Sequence, residues 1–248
     1  MKKILLLFCL LCMPVATLFA QTKEEADSAF VHEEYEKAAG IYSRLLEQGE
    51  SADIYYNIGN CYYKDNQIAK AILNYERAAL LEPGDANVRF NLVMARNKTV
   101  DKIVPQSEMF FITWFNQMTD WMSIDGWAYM AISLFILMLA MLLLYFLVNR
   151  IVLKKVFFYT ALVLFPLVIL CNVFANRQRV RLTERTGAVI MMPSVVVRST
   201  PTRAGTDLFI LHEGTRVEIT DDTMEEWKEV KLADGKVGWV PSAEIERI

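Results

Sequence analysis

Histidine and cysteine are scarce in this sequence. His32 and His212 are its only histidines among 248 residues, and its four cysteines are scattered over two apolar runs and one predicted soluble helix (Cys9, Cys12, Cys171 and Cys61). Zinc sites need clustered Cys and His ligands, and a disulfide framework needs cysteines that can meet. We therefore expect neither a Cys/His metal site nor a disulfide framework, and no cofactor.

Catalytic signatures are also missing. The sequence contains no G-x-x-x-x-G-K-[ST] phosphate loop and no G-x-S-x-G nucleophile motif. His212 beside Glu213 could be imagined as a base, but one isolated pair of this kind is typical of an ordinary surface. We therefore expect a protein that is not an enzyme.

Neither water-exposed part of the chain carries an excess of positive charge. Residues 22–105 contain 14 acidic and 10 basic side chains, and residues 183–248 contain 12 acidic and 8 basic side chains. Proteins that bind nucleic acid need a basic surface that neutralises phosphates. We therefore expect no nucleic-acid partner.

Three apolar blocks hold most of the excess hydrophobic residues. In the first block, Lys2 and Lys3 precede the nine-residue apolar run 4–12, which a proline interrupts before Ala20. Nine residues are too few to cross about 30 Å of hydrocarbon as a helix. We predict a signal peptide over residues 1–20, cleaved after Ala20, with an uncleaved anchor as the alternative.

The second and third blocks predict a transmembrane hairpin. Residues 127–148 and 156–175 are uncharged stretches of 22 and 20 residues, each long enough to span a bilayer as a helix. The loop 149–155 carries three basic residues and residues 106–126 carry none, so the positive-inside rule places the loop in the cytoplasm. The linker 176–186 opposes this orientation with four arginines (Arg177, Arg179, Arg181 and Arg185). The signal peptide favours export of both flanking regions.

Residues 22–105 contain an internal repeat. Asn57 and Asn91 are 34 residues apart in similar contexts, and Ala38 and Ala71 are 33 residues apart. Small residues at such positions let antiparallel helices pack closely, and the pattern resembles the tetratricopeptide repeat. It predicts five helices, the last of which would cap the array and continue toward the membrane (23–32, 35–48, 52–65, 68–81 and 86–102).

The resemblance implies a concave peptide-binding surface lined by the first helix of each pair. We call this predicted lining the repeat groove, and it consists of Tyr56, Asn57, Asn60, Tyr63, Lys64, Phe90, Asn91 and Met94. The alternative for Tyr56 and Phe90 is that they only pack against neighbouring helices.

Aromatic side chains dominate residues 106–126. Helical spacing places one apolar stripe along this segment (Phe110 or Phe111, Trp114, Met118 and Trp121). Aromatic residues just outside a span favour the headgroup region, so we predict an interfacial amphipathic helix in contact with the lipid bilayer. A docking site for a partner helix is the alternative.

Short β-rich runs replace helical periodicity in residues 187–248. Asp234-Gly235 lies between two such runs and is a strong hairpin signal, and the six runs predict a small closed barrel. The order Val197-Arg198-Ser199-x-Pro201, Glu213-Gly214-Thr215 and Gly238-Trp239-Val240 resembles the bacterial Src-homology-3-like (SH3-like) domain. That family binds peptides or cell-wall material, or acts as a rigid spacer. Trp227 and Trp239 are candidate groove aromatics, and the alternative for both is the barrel core.

The sequence thus predicts a multidomain membrane protein with an all-α tetratricopeptide-repeat module, a two-helix transmembrane hairpin and a C-terminal all-β SH3-like barrel. This arrangement, with the runs 207–215 and 238–241, resembles the BatE proteins of the Bacteroides aerotolerance (Bat) group. The signal peptide, the two spans and the missing catalytic motifs predict a non-catalytic scaffold with both soluble domains in the periplasm, and the resemblance implies that it belongs to a complex of the bacterial inner membrane. The resemblance also implies an aerotolerance or envelope-stress complex with von Willebrand A-type Bat proteins and a MoxR-type ATPase. The alternative is a protein that binds or senses peptidoglycan through the SH3-like domain.

Overall fold

Two compact units make up the described part of the chain. The computed structural model describes residues 23–107 and 109–248, so the signal peptide predicted over residues 1–20 lies outside the described residues. The first unit combines the chain up to Leu80 with Asp85–Gln106 and Thr186–Ile248, and the second combines Leu81–Gly84 with Ser107–Arg185. The helical and β-rich regions, which the sequence predicts as separate modules, therefore share one unit.

The helical part of the first unit follows the predicted repeat. Its helices are α1 over residues 23–31, α2 Tyr35–Leu46, α3 Ala52–Lys64, α4 Ile68–Leu81 and α5 Ala86–Arg96. A methyl group added to Gly59 would lie 2.5 Å from the ring of Tyr75, so only glycine allows α3 and α4 to approach this closely. The Asp85 side chain accepts hydrogen bonds from the backbone N–H groups of Asn87 and Val88 and begins α5 as its N-cap.

Helix α5 is shorter than predicted. It ends at Arg96, whereas the spacing predicts helix up to residue 102. Residues beyond it interact with the β-rich region instead: Ile103 packs against the buried cluster of the strands, and the backbone N–H of Gln106 donates to Ala233 O at 2.9 Å. These long-range contacts outweigh the weak local preference for further helix.

The β-rich part of the first unit is one antiparallel sheet of seven strands. The strands are β1 Gly187–Ile190, β2 Ser194–Arg198, β3 Asp207–His212, β4 Arg216–Asp221, β5 Trp227–Lys231, β6 Val237–Pro241 and β7 Ile245–Arg247. The hydrogen-bonded order is β3-β2-β6-β5-β4-β1-β7, with β3 and β7 at its two ends, and the sequence patterns missed β7. The predicted Asp234-Gly235 hairpin is confirmed: it joins β5 to β6, and Gly235 has φ +88°.

The sheet and the helices share buried side chains. Val189 of β1 and the last residue, Ile248, belong to the same buried cluster as Ile72 of α4 and Leu92 of α5. A repeat array needs its last apolar face covered, and here the third repeat has only its first helix. The sheet therefore joins α5 in covering the buried cluster at the end of the array.

Charged groups surround this shared cluster. Glu76 of α4 is buried and forms ion pairs with Arg96 of α5 and with Arg216 of β4. Arg77 pairs with Glu246 at 3.0 Å. The interface between the helices and the sheet thus combines an apolar centre with ion pairs at its margin.

The second unit consists of three helices, α6 Phe110–Thr119, α7 Ile124–Leu147 and α8 Ile151–Glu184. Helices α7 and α8, of 24 and 34 residues, are long and apolar enough to cross a membrane by length and composition. The turn between them is only residues 148–150, so the loop predicted over 149–155 is shorter, and the linker predicted over 176–186 is helical up to Glu184. Lys and Arg are good helix formers, so the helix continues beyond the apolar stretch at both ends.

Helix α6 packs against the two long helices. Phe115 of α6 and Trp127 of α7 flank Phe174 of α8, with ring centroids 5.2 Å and 4.8 Å from that of Phe174. The indole N–H of Trp127 donates to Thr119 O at 3.0 Å, and the Gln178 amide donates to the same carbonyl.

The apolar stripe predicted along residues 106–126 is divided by this packing, and its last member, Trp121, lies beyond the end of α6. Met118 packs against the buried cluster around Trp127, whereas four aromatic side chains stay exposed (Phe110, Phe111, Trp114 and Trp121). Within the second unit, one face of α6 therefore binds the hairpin and the other presents aromatic rings.

Candidate partner-binding surfaces

A hydrogen-bond network joins three helices beneath the repeat groove. The Asn91 amide of α5 donates to Asn60 Oδ1 at 2.8 Å and to the Tyr56 hydroxyl at 3.0 Å. The Tyr75 hydroxyl of α4 donates to the same Asn60 oxygen at 2.8 Å. Tyr56 and Asn60 lie one turn apart on α3, so the network fixes the spacing between α3 and α5.

The groups in this network are buried or half-buried. Tyr75 is buried, and its burial raises the pKa of its hydroxyl above the ordinary range. The ring of Tyr56 lies 6.0 Å from that of Tyr75, as the packing alternative for Tyr56 predicts. Tyr56, Asn60 and Asn91 therefore form the floor of the repeat groove.

Other predicted groove residues are exposed. Phe90 is 65% exposed and Met94 is 43% exposed, and both lie on α5, one turn apart. Val93, which the repeat pattern did not single out, is 54% exposed beside them. The packing alternative does not hold for Phe90, because its ring faces solvent. Among the described residues, the third repeat has no second helix that could cover this side of α5. Phe90, Val93 and Met94 therefore form an exposed apolar stripe.

Positive charge lies at the edge of the same surface. Lys64 at the end of α3 is exposed, and the Lys98 amino group lies 4.0 Å from the centroid of the Tyr63 ring. The sequence pattern does not identify Lys98 as a groove residue, because it predicts helix up to residue 102, whereas α5 ends at Arg96. Asn57 is half-buried. The repeat groove thus combines a fixed polar floor, an apolar stripe and two basic side chains.

Trp227 and Trp239 lie on one face of the sheet. Trp227 of β5 pairs with Pro241, and Trp239 of β6 pairs with Glu229, so the two indoles occupy diagonal positions on neighbouring strands. Val230 and Val240, which alternate with them, point to the opposite face and are buried. Both tryptophans are half-buried and are not members of the buried cluster of the sheet.

The sheet also has an apolar edge that sequence reasoning missed. Leu208 and Ile210 of the end strand β3 are exposed, and Ile210 pairs with Val196 of β2. Alternation along β3 would have identified both residues as outward-facing.

The two described cysteines are buried and unpaired thiols. Burial raises the pKa of the Cys61 thiol to about 12. A thiol of this kind is a packing group rather than a nucleophile. Among residues 23–107 and 109–248, no group of three or more His, Cys, Asp or Glu side chains is placed to hold a metal ion.

Comparisons with known families agree with the two folds. A family model described as a tetratricopeptide repeat matches residues 52–85, which comprise α3, α4 and the turn into α5. A family model described as a bacterial SH3 domain matches residues 193–246, from the start of β2 into β7. No curated protein matches the chain. The chain therefore contains a tetratricopeptide repeat, a module that suggests protein–protein interaction, and a bacterial SH3 domain, which suggests cell-wall binding.

Proposed function

We propose that the protein is a non-catalytic membrane adaptor that binds a protein partner in the repeat groove. The observation that carries this proposal is the exposed Phe90–Met94 stripe on α5, held beside α3 by the Asn91–Asn60 hydrogen bond. Exposed apolar side chains on a rigid support are the usual anchors of protein interfaces. Lys64 and Lys98 at its edge favour a partner segment that carries acidic side chains.

Anchoring in a membrane is the second part of the proposal. Only 6% of the most apolar stretch of α7 and 17% of the most apolar stretch of α8 are buried, whereas the core helix of a soluble protein would be mostly covered. Such apolar surfaces are stable in lipid, so α7 and α8 cross the bilayer as a hairpin and the exposed aromatic face of α6 lies at the interface.

Both soluble modules lie on one side of this membrane. They share the buried cluster around Ile72 and Val189, which cannot form across a bilayer. Two spans between them satisfy this requirement, and the predicted signal peptide places that side in the periplasm of a bacterial inner membrane. The resemblance to the Bat group supports von Willebrand A-type Bat proteins and a MoxR-type ATPase complex as partners in aerotolerance or envelope stress.

Cross-linking in native membranes tests the repeat groove. Membranes carrying the full-length protein are cross-linked, and the purified adducts of wild type and of the Phe90→Glu and Met94→Glu variants are compared. The expected result is one protein adduct that both groove variants lose. Val31→Glu is the matched control, because Val31 is 77% exposed on α1 and lies outside the repeat groove. An adduct that all variants keep equally would contradict the proposal.

Binding of peptidoglycan through the sheet is a second candidate function. It is favoured by the bacterial SH3 match and by the outward position of Trp227 and Trp239, which would form the binding groove of an SH3-like barrel. Retention of the full-length protein on purified sacculi in detergent tests it, with a Trp227→Ala/Trp239→Ala variant. The full chain is needed because Val189 and Ile248 would be exposed in the isolated sheet.

Testing each variant in both assays distinguishes the two candidate functions. Peptidoglycan binding predicts that the tryptophan variant is released from sacculi and that Phe90→Glu is retained. The adaptor function predicts that Phe90→Glu loses the cross-linked adduct and that the tryptophan variant keeps it. Absence of retention for the wild-type protein would exclude the second candidate.

A further inference from the structure

We propose that the end of α8 binds the phosphate groups of anionic phospholipids through Arg177 and Arg179, an inference that rests on the proposed insertion of α7 and α8. Helix α8 is continuous from its apolar stretch to Glu184. Arg177 and Arg179 lie two and four residues beyond Ala175, the end of that stretch, which is about 3–6 Å along a helix. That distance places both guanidinium groups at the level of the lipid headgroups.

Both arginines are available to a ligand. The side chains of Arg177 and Arg179 are exposed. Among the described residues, neither guanidinium group forms an ion pair or a hydrogen bond. Arg181, one turn further along α8, differs: it pairs with Asp120 at 2.6 Å and also donates to Asn116. Asp120, which directly follows α6, is thus already neutralised by Arg181.

The packing of α8 leaves both side chains open. Phe174 and Gln178 are buried against α6 and α7, and they define the packed face of α8. At 3.6 residues per turn, Arg177 and Arg179 lie about 100° to either side of Gln178. They therefore flank the packed face, where lipid would surround the hairpin.

Glu184 and Asp125, two further described acidic residues of the second unit, form no ion pair with Arg177 or Arg179. Glu184 is exposed five residues beyond Arg179, about 7.5 Å further along the axis. Asp125 lies in the first turn of α7, where it stabilises the positive end of that helix. Arg177 and Arg179 therefore lie at headgroup depth, and no acidic side chain among the described residues forms an ion pair with either of them.

Phosphate is the ligand chemistry that fits. A guanidinium group presents a planar fork of donors that binds phosphate oxygens in pairs. Helix α6 carries no charged residue, and Phe110 and Trp114, which are 85% and 60% exposed, place aromatic rings at the same end of the hairpin. Aromatic rings and basic side chains at one interface are the usual neighbours of lipid headgroups.

Quenching of tryptophan fluorescence by brominated lipids tests the inference. The full-length protein is reconstituted into phosphatidylcholine vesicles with increasing fractions of brominated phosphatidylglycerol, and the relative association constants of the two lipids follow from the quenching curves. Wild type is expected to prefer phosphatidylglycerol by up to about fivefold per arginine, since a near-surface basic group contributes about 1 kcal/mol. The Arg177→Gln/Arg179→Gln variant is expected to lose this preference.

Matched controls keep the outcomes distinct. Arg203→Gln removes an exposed arginine of the sheet region and should leave the preference unchanged. Excess inorganic phosphate at constant ionic strength should not reduce the preference, because the site is at the bilayer surface; competition by free phosphate would overturn the lipid assignment. Equal association of both lipids with wild type, or an unchanged preference in the double variant, would also overturn it. Extraction of the wild-type protein by alkaline carbonate would instead disprove the proposed membrane insertion.

Discussion

The carboxylate of Asp101 accepts a hydrogen bond from the backbone N–H of His212 at 2.7 Å, although the two residues are 111 positions apart. The ring Nδ1 of His212 lies 2.8 Å from the other carboxylate oxygen, and the Thr215 hydroxyl donates to Asp101 at 2.7 Å. One side chain thereby joins the segment after α5 to the turn between β3 and β4.

Replacing Asp101 by alanine should destabilise the first unit. Thr215 is buried, so its hydroxyl and the His212 N–H would lose their acceptor in a site that water reaches poorly. The expected loss is about 1–3 kcal/mol of unfolding free energy. Denaturant unfolding of the full-length protein in detergent measures it. Asp53→Asn, at an exposed position of α3, is the control, and an equal effect of both changes would refute the assigned role.

The stabilisation by Asp101 should depend on pH. Burial raises the pKa of this carboxyl, but the hydrogen bonds from Thr215 and His212 outweigh burial and hold the pKa below its ordinary value of 3.8. Because the native pKa is the lower one, the ionised carboxylate stabilises the fold above pH 3.8, and this contribution is lost as the pH falls through the native pKa. Stability curves of wild type and Asp101→Ala should therefore converge in acid; a constant difference would contradict this.

Two glycine substitutions should have opposite signs. Gly214 has φ +81°, and an added methyl group would lie 2.8 Å from Thr99 Cγ2 and 3.0 Å from Ile72 Cδ1. Gly214→Ala should therefore separate the sheet from α4 and cost more than about 1 kcal/mol. Gly40 is exposed within α2 with nothing within 4 Å of an added methyl group, so Gly40→Ala should stabilise by roughly 0.5–1 kcal/mol. Thermal unfolding of both variants checks this pair.

Packing of α6 should depend on Phe174. Phe174→Ala removes the ring between Phe115 and Trp127 and should cost about 3 kcal/mol. Phe165→Ala on the same helix removes a ring that is 56% exposed and should change stability by less than about 0.5 kcal/mol in detergent. Thermal unfolding monitored by tryptophan fluorescence compares them. If the two variants melted together, Phe174 would have no special role in holding α6.

The Cys61 thiol should be inert while the protein is folded. Its burial between helices raises its pKa to about 12, so almost none of it is thiolate near neutral pH. In a variant with Cys61 as the only cysteine, maleimide labelling should follow the unfolding transition rather than precede it. Rapid labelling under native conditions would show that the helices open locally around α3.

Helix and strand positions were largely predictable because they depend on neighbouring residues. The packing of Gly59 against Tyr75 and the turn at Gly235 follow from residue types and short spacings. The repeat groove was predictable as a set of positions, and Tyr56, Asn60 and Asn91 do meet. Its division into a half-buried floor and an exposed stripe depends on the absence of a second helix after α5, and residue spacing does not contain that information.

The sequence alone determined the helical repeat, six of the seven strands and two apolar helices of membrane-spanning length, since each arises from patterns that repeat within a few tens of residues. Tertiary structure alone decided that the helices and the sheet share one core, through Ile72, Val189 and Ile248. Each of these residues is apolar and fits the pattern of its own module. The fit between the two surfaces arises only when segments more than 100 residues apart along the chain pack together, so no local pattern records it.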